Sequence, residues 1–290
     1  MVTGGSGLIG RSLVPLLLRR DEVRACVRRP EAAGALRAMG AKVAVGRLDD
    51  SDALAEVLRG VYSLIHLIGG PNHPDGDTLL AANHGSTLTA LSAAREAGVR
   101  RFVLVSVPGA HPEADQSFQR AKGLAEEAVS NSGLEHGIIR STHAYGLGGL
   151  WFTAAVEGTL ATPPFIVGEG EQEIAPVWVD DLAAVLVAAD DRRGGLTGTW
   201  ALEGPDVITP FEFHRRLAPD GPTPRRLTPA RAAERLSGAL GLPVSLTATE
   251  HFAAPSRADA PDAASEFGVA VTPLETGLRL TMRRAAAAGR

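Results

Sequence analysis

The sequence predicts an α/β protein built on a doubly wound parallel sheet, and three observations carry that reading. Across the first two-thirds of the chain, short apolar runs alternate with helical periodicity, the signature of successive βαβ units. The first apolar run leads directly into a glycine-rich turn, Thr3-Gly4-Gly5-Ser6-Gly7-Leu8-Ile9-Gly10, which opens an amphipathic stretch. A length of 290 residues, 44% hydrophobic and 21% charged, suits one large α/β domain or such a domain with a small lobe attached.

Met1-Val2 reads as the tail of a first strand, shorter than expected, as if the strand were clipped or the start truncated. Leu8 to Arg20 reads as the first helix, with Leu8, Leu13, Leu16 and Leu17 apolar. Val23 to Val27 and Lys42 to Val45 read as strands two and three, with a helix from Ala32 to Met39 between them. Asp52 to Arg59 is expected to be helical behind a Ser51 N-cap. Strand four follows at Ser63 to Ile68. A long helix runs from Thr78 to Gly98, which ends it. Arg101 to Ser106 and Glu135 to Arg140 are strands five and six, joined by a helix from Gln116 to Ser132.

Beyond Gly146-Leu147-Gly148-Gly149 the pattern loosens, and Pro, Gly and Thr become frequent. Thr199 to Leu202 resembles an isolated strand. Arg231 to Leu240 and Pro273 to Arg284 read as helices, Pro219 to Pro229 and Ala253 to Ala264 as loops, and Ala285 to Arg290 as a frayed end. The division expected is a core of βαβ units over residues 1–146, headed by the glycine-rich turn, and a mixed α/β lobe over 147–290. That lobe packs on the core, with room to return a strand to its sheet.

Net charge is −4, and the arginines are scattered, so no basic footprint for nucleic acid is present. No apolar stretch reaches the 18 or so residues that a membrane span needs, and no secretory leader pattern opens the chain. The single cysteine, Cys26, lies in an apolar strand and reads as a small core residue. These features lead to the expectation of a cytoplasmic protein; a monomer or homodimer that takes a small-molecule substrate is expected with it. No His/Cys set has metal-ligand spacing, and no Gly-x-Ser-x-Gly or Ser/His/Asp set is present.

Gly4, Gly7 and Gly10 give GxxGxxG, and Gly5, Gly7 and Gly10 give GxGxxG. Such glycines let a strand turn sharply into a helix whose N–H groups and positive end can hold a pyrophosphate. Strand two ends in Arg28-Arg29 and not in an acid. An acid there favours NAD by binding the ribose 2′-hydroxyl, whereas an arginine accommodates the 2′-phosphate of NADP. Arg11, just past Gly10, adds a second positive charge. The expected ligand is therefore NADP(H) in preference to NAD(H), with Arg28 and Arg29 as solvated surface charges the plain alternative.

By this turn and the segments that follow it, the chain resembles the short-chain dehydrogenase/reductase superfamily. The resemblance is to its atypical, extended-like members, close to NmrA-like proteins and the nucleotide-binding accessory subunit of respiratory complex I. Further segments carry the likeness: Leu48-Asp49 (adenine contact), Ile65-His66-Leu67-Ile68-Gly69 (cofactor-lining strand four) and Val105-Ser106-Val107 (active-site serine). So do Arg140-Ser141-Thr142-His143-Ala144-Tyr145-Gly146 (start of the substrate lobe), Pro176 to Ala183 and Val271 to Leu278. The resemblance implies a Rossmann-type fold and cofactor contacts from Thr3 through Arg11 and from Leu48, Asp49, Leu67, Ile68 and Gly69.

The superfamily's YxxxK falls here on Phe118-Gln119-Arg120-Ala121-Lys122: the lysine is present and the tyrosine is not. The only tyrosines are Tyr62 and Tyr145, and Tyr145 resembles a structural residue. Lys122 lies four residues after Phe118, so the two share a helix face. Lys42 and Lys122 are the only lysines among 29 basic residues, and a lysine, unlike arginine, gives up its proton readily. Lys122 is therefore a candidate for ribose binding or for acid–base work, as in isoflavone-reductase-like relatives, which use a lone lysine. Ser106 and His143 complete the candidate catalytic set, although a strand-end serine is as readily satisfied by backbone. His111 is a weaker candidate, and His66 reads as packed. Ser106, Phe118, Thr142, His143, Trp151 and Trp178 are the expected pocket residues, with core packing the alternative for the aromatics.

The expected activity is hydride transfer between NADP(H) and a small, quinone-like or aromatic substrate, because a conjugated acceptor needs less help from a tyrosine acid. A non-catalytic NAD(P)H-binding redox sensor or assembly factor is the alternative. A sugar-nucleotide epimerase or dehydratase is the third, weakened by the missing tyrosine.

Overall fold

The computed structural model describes residues 1–46 and 50–288. In chain order its elements are β1 (Val2–Thr3), α1 (Leu8–Leu17), β2 (Arg24–Val27), α2 (Glu31–Ala38), β3 (Lys42–Val45), α3 (Ser51–Leu58) and β4 (Ser63–His66). There follow α4 (Gly76–Leu80), one turn of π-helix (Ala81–Gly85), α5 (Ser86–Glu96), β5 (Arg101–Ser106), α6 (Ser117–Ser130), β6 (Glu135–Ser141), β7 (Ala144–Tyr145) and α7 (Leu150–Leu160). The remainder is β8 (Phe165–Val167), β9 (Val177–Trp178), α8 (Val179–Asp191), β10 (Thr197–Leu202), α9 (Pro210–Leu217), β11 (Arg225–Leu227), α10 (Pro229–Leu240), α11 (Leu246–Ala253), α12 (Ala263–Phe267) and α13 (Leu274–Ala288).

Seven parallel strands form the main sheet in the order β10-β6-β5-β4-β1-β2-β3. The chain runs outward from β1 to β3, then returns to lay β4 on the other side of β1. That reversal opens a crevice at the carboxyl ends of β1 and β4, the place where doubly wound sheets bind ligands. The fold is thus the expected Rossmann-type α/β architecture.

The sheet is covered on both faces, as an all-parallel sheet must be. On one face α1 and α8 bury Leu13, Val14, Leu17, Leu182, Val185 and Leu186 against Val2, Ile65 and Val103. On the other, α3, α5 and α6 bury Leu54, Leu58, Leu91 and Val129 against Leu64, Phe102 and Leu104. Cys26 is buried among the latter, as its strand position predicts. A smaller region built from α7, β8, α9, β11, α10 and α11 has its own apolar clusters, around Phe152, Ile174 and Phe213 and around Phe165, Leu236 and Phe252.

Several expectations need correction. Thr199 to Leu202 is not an isolated strand: Thr197–Leu202 pairs in parallel with His136–Ser141 and forms the sheet's edge. Ser51 does not cap α3; the Asp50 carboxylate does, accepting from the Asp52 and Ala53 amides at 3.1 and 3.0 Å. Asp50 has the extended backbone of an N-cap residue, whereas Ser51 is already the first residue of the helix, and the carboxylate also faces the helix's positive end. The expected long helix starts at Gly76, behind an Asp75 cap, and is interrupted by the π-turn before ending near Gly98 (φ +72°). The segment expected to be loop over Pro219 to Pro229 contains the short strand β11, and the alanine-rich end is helical as far as Ala288.

Arg101 locks the late helix onto the sheet. Its side chain is 3% exposed, and its guanidinium donates to the Glu135 carboxylate at 2.8 Å, to the Arg192 carbonyl at 2.8 Å and to the Asp190 carbonyl at the end of α8. Arg101→Ala removes these donors from the Glu135 carboxylate and from the carbonyls at the end of α8. The expected loss is about 2–3 kcal/mol of unfolding free energy, measured by urea denaturation; a change within about 0.5 kcal/mol contradicts this role.

Candidate functional site

The glycine turn sits where the two halves of the sheet meet. Gly4 has φ +71°, and a Cβ there would stand 3.0 Å from the Leu67 carbonyl carbon and oxygen. The Gly7 amide donates to the Gly4 carbonyl at 3.0 Å, closing the turn. A Cβ on Gly10 would lie 2.4 Å from the Gly5 Cα, so the first turn of α1 rides directly on the loop. No side chain caps α1 and no acid lies in its first turn. Its leading N–H groups and positive end are therefore left to an anion. These features fit the pyrophosphate of a dinucleotide, with Gly4, Gly7, Leu8, Ile9 and Gly10 lining the cavity in front of it. Gly5 lies beneath the turn against Leu36, and Ser6 is exposed at its tip.

Thr3 and His66 fasten the floor. The Thr3 hydroxyl and His66 Nδ1 are 2.9 Å apart, and His66 Nε2 lies 3.3 Å from the Ser86 hydroxyl. Burial, with a smaller push from the Lys122 charge, lowers the His66 pKa to about 3, so this packed imidazole is neutral. After β4 the chain passes Leu67 and Ile68 into Gly69 and Gly70, both with positive φ. The Asn83 amide, fully buried in the π-turn, clamps Gly70 by accepting from its N–H and donating to its carbonyl, both at 3.0 Å. A Cβ on Gly69 would meet Asn83 Oδ1 at 2.3 Å. Leu67, Gly69 and Gly70 line the cavity; Ile68 does not.

Lys122 rises from α6 into the same cavity of about 320 Å³. It is 6% exposed, and its Nζ donates to the Val105 carbonyl at 2.9 Å. Burial pulls its pKa down to about 8, against a raising effect from Glu126. Glu126 itself is committed to Arg140, at 2.7 and 3.0 Å. Phe118, one turn before Lys122, presents a ring where a tyrosine would present a hydroxyl. Ser106 Oγ is buried in the cavity wall with no hydrogen-bond partner among the described residues.

The far wall is aromatic. His143 stacks on Trp151 with ring centroids 4.9 Å apart and planes 17° from parallel. His251, from α11, meets His143 edge-on at 5.0 Å and Phe118 at 4.9 Å. His143 Nε2 and His251 Nδ1 are both buried without partners among the described residues. Thr142 lines the wall, but its hydroxyl is used by the Ala175 carbonyl at 2.6 Å.

Other expected site residues fall elsewhere. Trp178 does not line the cavity: it lies under Arg284, whose guanidinium sits 5.1 Å from the ring centroid, and packs with the Tyr145–Phe213 cluster. As the N-cap residue of α8 it is placed by that helix, and its ring is taken up by Arg284 and the apolar cluster. Arg11 donates to the Leu147 carbonyl at 3.2 Å, tying α1 to the Gly146–Gly149 turn. Arg28 is exposed at the end of β2, and its charge adds to burial in holding the His73 pKa down. Arg29 pairs with Glu31 at 3.7 Å. Leu48 and Asp49 lie outside the described residues. Tyr145 is fully buried, its hydroxyl 3.5 Å from the Leu274 carbonyl, and is structural. His111 accepts from the Glu113 amide and stands outside the cavity. His251 and Asn83 are the residues that sequence reasoning missed. Ser245, which caps α11 by accepting from the Ala248 amide at 3.1 Å, is the signal that places a helix under His251.

A family model described as NAD(P)H-binding matches residues 4–146. A (4-alkanoyl-5-oxo-2,5-dihydrofuran-3-yl)methyl phosphate reductase from Streptomyces griseus is 30% identical over 226 residues, covering 75% of this chain and 72% of the relative. The chain belongs to the atypical short-chain dehydrogenase/reductase superfamily. This NAD(P)H-binding protein is also 28% identical over 254 residues to an NAD(P)H azoreductase from Xenophilus azovorans, covering 85% of the chain and 82% of the relative. Its fold matches that of an NADPH-dependent quinone oxidoreductase from Escherichia coli complexed with NADPH. The TM-score is 0.74 at 21% identity, over 96% of this chain and 98% of the other. Among the described residues no helix is long and apolar enough to cross a membrane, and no cluster of three or more His, Cys, Asp or Glu is placed to hold a metal.

The buried ammonium makes stability depend on pH in a stated direction. Unfolded, Lys122 holds its proton up to its ordinary pKa of 10.5; folded, it releases it at about 8. Between those values the unfolded chain binds more protons, so stability rises with pH through this window. The expected rise from this residue is up to about 3 kcal/mol. Lys122→Met lacks it and is the more stable form near pH 7, with the gap closing above about pH 10. Denaturation of both proteins across pH 7 to 10.5 measures the gap; a constant difference refutes the assignment.

Proposed function

We propose that this chain is an NADP(H)-dependent oxidoreductase that reduces a small quinone-like or aromatic acceptor without a catalytic tyrosine. One observation carries the reading: a single cavity joins the glycine turn, the buried Lys122 ammonium and an aromatic wall. When bound at the turn, the reduced dinucleotide supplies the hydride that such a reduction consumes. The glycine turn holds the pyrophosphate, and Lys122 orients the ribose or steadies negative charge that develops on the acceptor. With a pKa of about 8, Lys122 remains largely protonated at neutral pH while able to exchange its proton. Phe118 removes the usual acid, which favours acceptors whose conjugation spreads charge. The azo and furanone reductases among the relatives support this substrate class. Arg28 at the end of β2 supports NADP(H) over NAD(H).

Purified protein incubated with NADPH and a panel of quinones and azo compounds is expected to consume NADPH. Lys122→Ala should lower kcat by about 100-fold or more. Unchanged turnover in that variant refutes the role of Lys122, and tight NADPH binding with no turnover on any acceptor leaves a redox sensor or assembly factor, a reading that Phe118 favours.

Cofactor choice has its own test. Arg28→Glu is expected to weaken NADPH binding by about tenfold while leaving NADH within about twofold. Calorimetric titration with each dinucleotide decides it, and equal losses for both refute phosphate recognition by Arg28.

A further inference from the structure

Two imidazoles line the cavity, and each has a buried ring nitrogen without a partner among the described residues. His143 is 4% exposed and is fixed through its backbone, its N–H donating to the Ser256 hydroxyl at 3.2 Å and its carbonyl accepting from the Val177 amide at 3.1 Å. Its ring is held flat against Trp151. His251 is wedged edge-on between His143 and Phe118, at 5.0 and 4.9 Å. The two rings come from different parts of the chain, one from the β6–β7 link and one from α11, yet they meet with centroids 5.0 Å apart, and His143 Nε2 and His251 Nδ1 are both buried without partners among the described residues. Buried polar nitrogens without partners are rare and are normally matched by a ligand or water. Their fellow in the same cavity wall is Ser106 Oγ, also without a partner.

Resting on the oxidoreductase reading, we propose that His143 and His251 form a neutral donor pair for the substrate. It holds the oxygen of a conjugated carbonyl compound and the enolate or phenolate that this oxygen becomes on reduction. The pair stands beside Phe118, and so takes over the anchoring that a tyrosine hydroxyl gives in relatives that have one. Reduction forms one carbon–hydrogen bond on the conjugated system and leaves an electron pair on the oxygen; the reduced dinucleotide is the reductant, and water supplies the neutralising proton. Neither imidazole has to lose a proton. Burial holds both well on the neutral side at physiological pH, His251 at about 4, so each keeps one N–H to donate and neither binds the substrate as a cation. A neutral imidazole donor aimed at a developing oxyanion is a known kind of electrophile.

The test separates donor from packing by side-chain shape. An asparagine amide reproduces the Nδ1 position of histidine and a glutamine amide the Nε2 position, whereas leucine fills the space without a donor. His251→Asn and His143→Gln are expected to keep kcat for quinone reduction within about fivefold, while His251→Leu and His143→Leu lose about 100-fold. NADPH affinity should stay within about threefold in all four. Equal losses in the amide and leucine variants, or none in either, overturn the donor pair while wild-type turnover leaves the oxidoreductase reading standing. Absence of wild-type turnover despite NADPH binding overturns both. A second readout needs no turnover. Titration of the wild-type protein with p-nitrophenol, followed by the absorbance change on ionisation, should show the phenolate form bound, with its apparent pKa lowered by about one unit. Binding of the neutral phenol only overturns the proposal even if the leucine variants fail to fold.

Discussion

The close contact between the ends of β1 and β4 is the constraint on which the site depends. Gly4 lies against the Leu67 carbonyl with no room for a side chain, and the Thr3 hydroxyl meets His66 across the same pair of strands. Because these strands are neighbours in space but separated by two βα units in sequence, their contact fixes the crevice where the sheet changes direction. The glycine turn forms one lip and Gly69-Gly70 the other. Any side chain at Gly4 would push the lips apart, and loss of the Thr3–His66 contact would leave the two strand ends joined by their backbone ladder alone.

The second lip is made by a helix that departs from α-helical geometry. The π-turn at Ala81–Gly85 swings Asn83 inward, where both ends of its amide engage Gly70. A π-turn costs favourable hydrogen-bond geometry and is found mostly at functional sites. Here the Thr87 hydroxyl helps to hold it by donating to the Asn83 carbonyl at 2.7 Å. Position 69 can only be glycine, since Asn83 Oδ1 and Lys122 Nζ both crowd the place of a Cβ. Asn83, Gly69 and Lys122 thus form one packed unit, although they come from three separate elements.

The parallel sheet, its strand positions through residue 141 and the glycine turn were legible in the sequence because each depends on local signals: β-branched runs, helical periodicity and glycines at fixed spacing. Lys122 and Phe118 were legible for a different reason, since one turn of helix guarantees a shared face. What was not legible depends on contacts between distant segments. Thr197–Leu202 carries no mark that it completes the main sheet; only its pairing with β6 shows it. Trp178 looked like a pocket residue because aromatics favour pockets and cores alike, and Arg284 claims its face. His251 lies on a short helix of modest amphipathicity, and its value arises only when α11 packs against α6 and brings it onto Phe118 and His143.

The pairing of a buried lysine with a phenylalanine is an argument about chemistry as well as packing. An ammonium held at 6% exposure without a carboxylate of its own is costly, and the nearest acid, Glu126, is taken by Arg140. Lysine lowers that cost by hydrogen-bonding the Val105 carbonyl and by letting its pKa fall, which arginine does not do. A cavity with such a charge at its floor and neutral aromatic rings around it disfavours cations and favours flat acceptors that become anionic. On the proposed reading, the lack of a tyrosine hydroxyl at position 118 makes selectivity a matter of where negative charge comes to rest and less of who delivers a proton.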